Sequence, residues 1–118
     1  MKFMHELSIA LSIVEAVEEE AARHPGQVAA VHLRLGPLAG VIKEALFSAF
    51  ELACEGSTLT GARLVVEDVP IVGFCPSCKT NQPVASMQWM CCSKCETPVS
   101  EVVQGRELEV RALEMHDD

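Results

Sequence analysis

The sequence predicts an α+β fold in which two helices pack on a small three-stranded sheet, with a metal-stapled module inserted before the last strand. Three observations carry this prediction. Apolar residues recur at helical spacing over 6–22 and 42–54. Short segments at 31–35, 62–69 and 107–112 have strand character. Between the second and third of these lie five cysteines, four of them arranged as two C-x-x-C pairs.

From Glu6 to Ala22, residues Leu7, Ala10, Leu11, Val14, Val17 and Ala21 share one face, and Glu15, Glu18 and Glu19 fall largely off it as a solvated face. His24-Pro25-Gly26 ends this helix, because proline disfavours helical geometry in the residue before it. Val31-His32-Leu33-Arg34-Leu35 alternates apolar and polar residues, as a strand with one buried face does, and the run Gly36-Pro37-Leu38-Ala39-Gly40 closes it. The second helix places Ile42, Leu46, Ala49, Phe50 and Ala53 on its inner stripe, Cys54 as a small packed residue, and Gly56 as its stop. Ala62 to Val69 is rich in β-branched residues and ends at Pro70. After Gly105, Glu107-Leu108-Glu109-Val110-Arg111-Ala112 alternates again and returns the chain to the first module. The expected domains are therefore 1–71, completed by 102–118, and a module at 72–101, whose cysteines and turn formers leave the metal as its core. His24 and His32 fit a turn and a strand surface, and His116-Asp117-Asp118 a solvated tail.

The chain has 118 residues, the size of one domain with a small appendage, and 49% of them are hydrophobic, which excludes compositional disorder. No apolar run approaches the roughly 20 residues of a membrane helix, and no basic leader precedes an apolar stretch. An intracellular, cytoplasmic location is expected, where six cysteines serve as metal ligands or free thiols in preference to disulfides. The formal net charge is −8. Four ionised cysteines around one dication take it to about −10, a balance that repels nucleic acid.

Cys75-Pro-Ser-Cys78 and Cys92-Ser-Lys-Cys95 are two C-x-x-C pairs with 13 residues between them. Each such turn presents two sulfurs to one ion, and two turns complete the tetrahedron of soft donors that Zn²⁺ accepts, which makes the module zinc-ribbon-like. Cys91 opens a second register one residue longer; Cys92 is favoured because its spacing repeats that of Cys75 and Cys78, leaving Cys91 a neighbouring thiol or a substitute ligand. A closed four-sulfur shell leaves no position for water, so the zinc is expected to be structural. At the other end, Met4-His5-Glu6 sets an imidazole beside a carboxylate, a pairing that can hold a borderline metal ion.

Met4-His5-Glu6-Leu7-Ser8 opening a helix, the two C-x-x-C pairs late in the chain, and Val102-Val103-Gln104-Gly105-Arg106-Glu107-Leu108-Glu109-Val110 after them resemble the HypA/HybF family of hydrogenase-maturation nickel chaperones, over essentially the whole chain and in the family's order. The resemblance implies a carrier that binds Ni²⁺ as transferable cargo and delivers it to [NiFe]-hydrogenase large-subunit precursors, with a GTPase partner. For part of the family it implies service to urease through its accessory proteins, and a monomer or homodimer. Carried over by position, it implies nickel at His5 and Glu6, and structural zinc at Cys75, Cys78, Cys92 and Cys95. In the family the Met-His-Glu motif is usually the true N-terminus, so that the free amine joins the imidazole around the ion. Here Met1-Lys2-Phe3 precede it. A start at Met4 restores the amine, and a start at Met1 leaves nickel to the imidazole, backbone nitrogens and oxygen donors, with Glu44 as a supplementary carboxylate.

Rival readings are weaker. A nucleic-acid-binding zinc ribbon lacks a basic, aromatic patch, since the chain has one tryptophan and no tyrosine. A thiol oxidoreductase needs one exposed, fast-reacting pair. A hydrolase needs a nucleophile motif, a phosphate-binding glycine loop or an open metal site, and none is present in the sequence, so no enzyme activity is expected.

Overall fold

Ala10, Ile13, Val14 and Val17 recur at three- and four-residue steps and form the buried stripe of helix α1, Lys2–Ala21. The computed structural model describes residues 2–116, with side chains from His5 onward; the Met4 side chain and Asp117-Asp118 of the expected tail lie outside the described residues. Helix α1 begins four residues before the expected Glu6. Leu11, assigned to the inner face, is 51% exposed, because the stripe centred on Ala10, Val14 and Val17 turns it outward. The chain then forms β1 (Gln27–Leu35), a short 3-10 turn (Pro37–Ala39), α2 (Lys43–Cys54) and β2 (Arg63–Asp68). Next come β3 (Val72–Cys75), β4 (Thr80–Ser86), β5 (Trp89–Cys92), β6 (Glu101–Gln104) and β7 (Leu108–His116).

Strands β1, β2 and β7 build a three-stranded sheet in the order β2-β1-β7. The α+β class is the one expected, with strands β1 and β7 longer than the alternating segments at 31–35 and 107–112. The described chain divides into two compact units. The first comprises 2–33, 41–66 and 110–116, and the second 34–40 and 67–109.

In the first unit α1 packs on α2, and one core joins Ala10, Val14 and Val17 to Leu46, Ala49, Phe50 and Cys54, with Val28, Val31 and Leu33 from β1 beneath. Leu64, Val66, Leu113 and Met115 close its edges. Burying each large side chain contributes about 1.5–3 kcal/mol, which offsets the entropy of ordering the two helices. Ile42, expected on the inner stripe, is 41% exposed, because it is the residue that starts α2 and its backbone is extended. Glu18 departs from the solvated role expected of it: its Oε2 accepts the Thr58 N–H at 3.1 Å and the Thr58 hydroxyl at 2.8 Å.

The second unit holds a four-stranded sheet, β5-β4-β3-β6, that the low hydrophobic periodicity of 72–101 concealed. β3 pairs antiparallel with β4, from Val72 opposite Pro83 to Cys75 opposite Thr80, and with β6 on its other side. A Cβ on Gly73 would lie 2.8 Å from that of Val99, so β3 and the segment after β5 meet at a distance only glycine permits. Leu35, Val69 and Ile71 are buried here, and the Val69 N–H donates to the Leu35 carbonyl at 2.9 Å. The metal is therefore not the sole core of this unit. The loop Gly36–Gly40 is zipped to the 105–107 turn, with Gly36 N–H donating to Glu107 O at 2.8 Å and Leu38 N–H to Gly105 O at 2.9 Å.

Candidate functional site

Strand β3 ends at Cys75 and strand β5 at Cys92, and each runs directly into a tight turn that carries the second cysteine of its pair. The two turns repeat one hydrogen-bond pattern: Lys79 N–H donates to Cys75 O at 2.8 Å, and Glu96 N–H to Cys92 O at 2.9 Å. Backbone N–H groups also point at sulfur, from Cys78 to Cys75 Sγ at 3.3 Å and from Lys94 to Cys92 Sγ at 3.4 Å. Such donors stabilise negative charge on sulfur before any ion arrives.

The four sulfurs of Cys75, Cys78, Cys92 and Cys95 all lie within 4.8 Å of one another. Cys75 and Cys95 are 3.5 Å apart, Cys78 and Cys95 3.7 Å, and Cys78 and Cys92 4.0 Å. Zinc–sulfur bonds of about 2.3 Å in a tetrahedron set neighbouring sulfurs about 3.8 Å apart, and these separations bracket that value. The donor set is one that suits a tetrahedral thiophilic cation. Cys91 stands outside the group, buried in a bridge pairing with Pro98. Cys54 is buried in the α1–α2 core, where burial and then Glu18 push its thiol above the ordinary range.

Among the sulfurs alone, charge is shared unequally. Cys95 is pushed down to about 6, first by the Thr97 hydroxyl 3.2 Å away, next by the Thr97 backbone, and then by Cys75. Cys78 is pushed up to about 12, first by its hydrogen bond with Cys75 and then by that with Cys95. Four thiolates this close repel one another, so full ionisation requires a cation in their midst. Thr97 went unnoticed in the sequence, although a hydroxyl two residues after a ligand cysteine is the signal that could have found it.

The second expected site is built otherwise. His5 is exposed on the first turn of α1, whereas Glu6 has no exposed surface. Glu6 lies four residues before Ala10 and eight before Val14, so the helix turns it into the same buried stripe. There its Oε2 accepts the Ile42 N–H at 2.9 Å, while Oε1 is buried with no hydrogen-bond partner among the described residues. Glu44, on the first turn of α2, is exposed. No four-residue cluster of the cysteine kind forms around His5 among the described residues, so nickel there would have few protein side-chain donors. Two of the remaining three histidines hold ion-pair positions: His24 with Glu20 at 3.1 Å, and His32 with Glu114.

A helix pair on a small sheet, joined in one chain to a four-sulfur cage, defines a metal-handling protein. No described helix is long and apolar enough to cross a membrane. The sequence profile of the family described as "Hydrogenase/urease nickel incorporation, metallochaperone, hypA" matches residues 4–115, and the chain belongs to that family, which is one of maturation factors and not of enzymes. It is 46% identical over 113 residues to the hydrogenase maturation factor HypA of Chloroflexus aurantiacus, covering 94% of this chain and 98% of that protein. Against the factor of the same name from a Roseiflexus species the identity is 44% over 116 residues, covering 98% and 94%. The solution structure of the Ni metallochaperone HypA from Helicobacter pylori superposes with a TM-score of 0.65 at 25% identity, covering 96% of this chain and 98% of that one. A second solution structure of a HypA protein gives 0.69 at 27% identity, with 98% of both chains covered.

Proposed function

We propose that this chain carries Ni²⁺ to [NiFe]-hydrogenase precursors, holding the ion at His5 and Glu6 while zinc stays permanently at Cys75, Cys78, Cys92 and Cys95. The observation that carries the reading is the contrast between the two donor sets. One is a closed group of sulfurs at tetrahedral spacing, the other an exposed imidazole followed by a carboxylate with one uncommitted oxygen. Soft, complete shells suit retention, and sparse nitrogen–oxygen sets suit exchange. In this reading 1–71 with 102–118 forms the nickel module and 72–101 the zinc module. The zinc, when bound, supplies cohesion to the two turns, and the chain's own N–H donors orient the sulfurs toward it.

Delivery to a hydrogenase large-subunit precursor and also to urease accords with the family's description as one of hydrogenase and urease nickel incorporation, and in the same proposal it takes place in the cytoplasm with a GTPase partner. The chain acts as a monomer or homodimer. Calorimetric titration with Ni²⁺ tests the assignment. His5→Ala is expected to weaken binding at least tenfold with zinc content unchanged, and unaltered nickel affinity in that variant contradicts it.

A further inference from the structure

The two oxygens of Glu6 are unequally employed. Oε2 accepts the N–H of Ile42 at 2.9 Å, and Ile42 is the residue that starts α2, with no side-chain cap of its own. Its carbonyl meanwhile accepts the Leu46 N–H at 2.9 Å, the first bond of that helix. Glu6 therefore reaches from α1 to supply the acceptor that the start of α2 lacks. Its other oxygen is buried with no hydrogen-bond partner among the described residues, although Glu6 has 0% exposure. A buried carboxylate oxygen left without a donor or cation is costly enough that native proteins rarely keep one. This one points to a positively charged ligand, and His5, the residue just before it in the helix, is exposed to receive a cation from solvent.

Resting on the nickel reading above, we infer that the Glu6 carboxylate is shared between the two helices and the cargo, with Oε1 for the ion and Oε2 held by Ile42. The Ile42 N–H, backed by the positive end of the α2 dipole, draws charge from the carboxylate and weakens it as a nickel donor. Ile42 is thus a positioning residue that acts through Glu6. It keeps the ion releasable.

The test is a competition titration of the full-length, zinc-loaded protein with Ni²⁺ and a chromophoric chelator. Ile42 has φ −85° and ψ 115°, a backbone close to that of proline, so Ile42→Pro deletes the N–H while keeping the carbonyl that starts α2. Ile42→Pro is expected to bind nickel about tenfold more tightly, the fold-change that corresponds to losing one charge-assisted competitor. Glu6→Gln keeps an acceptor for Ile42 but binds nickel more weakly, and in the double variant the gain from proline disappears. Unchanged or weaker affinity in Ile42→Pro overturns the inference. If that variant fails to fold, amide exchange in the unaltered protein decides. Nickel is expected to speed exchange at Ile42 several-fold and leave Leu46 unchanged, and an unaffected Ile42 overturns the inference. Failure of the nickel reading itself has a different signature, since His5→Ala then keeps full nickel affinity whatever Ile42→Pro does.

Discussion

Lys79 and Glu96 occupy equivalent places in two turns: each follows the second cysteine of its pair, and each holds a left-handed backbone, with φ of 60° and 64°. Side-chain-bearing residues lose about 1–2 kcal/mol in that region, and glycine, which adopts it freely, loses about 0.5–1 kcal/mol of chain entropy instead. Lys79→Gly and Glu96→Gly are therefore each expected to stabilise the zinc-loaded protein by up to about 1 kcal/mol, read as a higher denaturant midpoint. A lowered midpoint in both contradicts the equivalence of the turns.

The cysteines divide by geometry into cage and bystander. Cys78→Ser removes a sulfur from the close-set group, whereas Cys91→Ser touches a thiol outside it. Elemental analysis is expected to find one zinc per chain in Cys91→Ser and a marked loss in Cys78→Ser. Equal loss in both would return the register to the alternative pairing of Cys91 with Cys95.

Glu18 links stability to acid. The Thr58 hydroxyl, then the Thr58 N–H, holds its carboxyl below the ordinary value of 4.5. The folded state thus favours the carboxylate more than the unfolded chain does. The contribution is fully present above about pH 4.5 and is lost as pH falls through the lowered value. Glu18→Gln is expected to lower thermal stability at neutrality and to flatten its decline below that pH, so that the two proteins converge in acid. A decline as steep as that of the unaltered protein counts against the contact.

Gly36 and Gly105 approach so closely that a Cβ on Gly36 would lie 2.1 Å from the Gly105 carbonyl oxygen. Backbone atoms cannot swing aside as a side chain can. Gly36→Ala is expected to destabilise the protein by about 3 kcal/mol, at the upper end for overpacking, as measured by denaturant unfolding. A loss below about 1 kcal/mol contradicts the packing of this loop on the 105–107 turn.

Helical periodicity made α1 and α2 legible, and cysteine spacing made the sulfur group legible, because both patterns are local. The sheet of the second unit was not, since its strands β3, β5 and β6 are four residues each, too short to develop a period. Glu6 shows the limit best. Its place on the stripe of Ala10, Ile13, Val14 and Val17 could be counted from the sequence, but the Ile42 N–H that justifies a buried carboxylate there comes from 36 residues away. The contact of Glu18 with Thr58 is of the same kind, 40 residues apart, and so its charge was assigned to solvent.

The division of labour between two metal sites is tested most directly by X-ray absorption at the zinc and nickel edges of protein loaded with one equivalent of each. The zinc edge is expected to report four sulfurs at about 2.3 Å, and the nickel edge nitrogen and oxygen neighbours that change in His5→Ala. Sulfur around nickel, with a nickel spectrum indifferent to His5, would contradict the account.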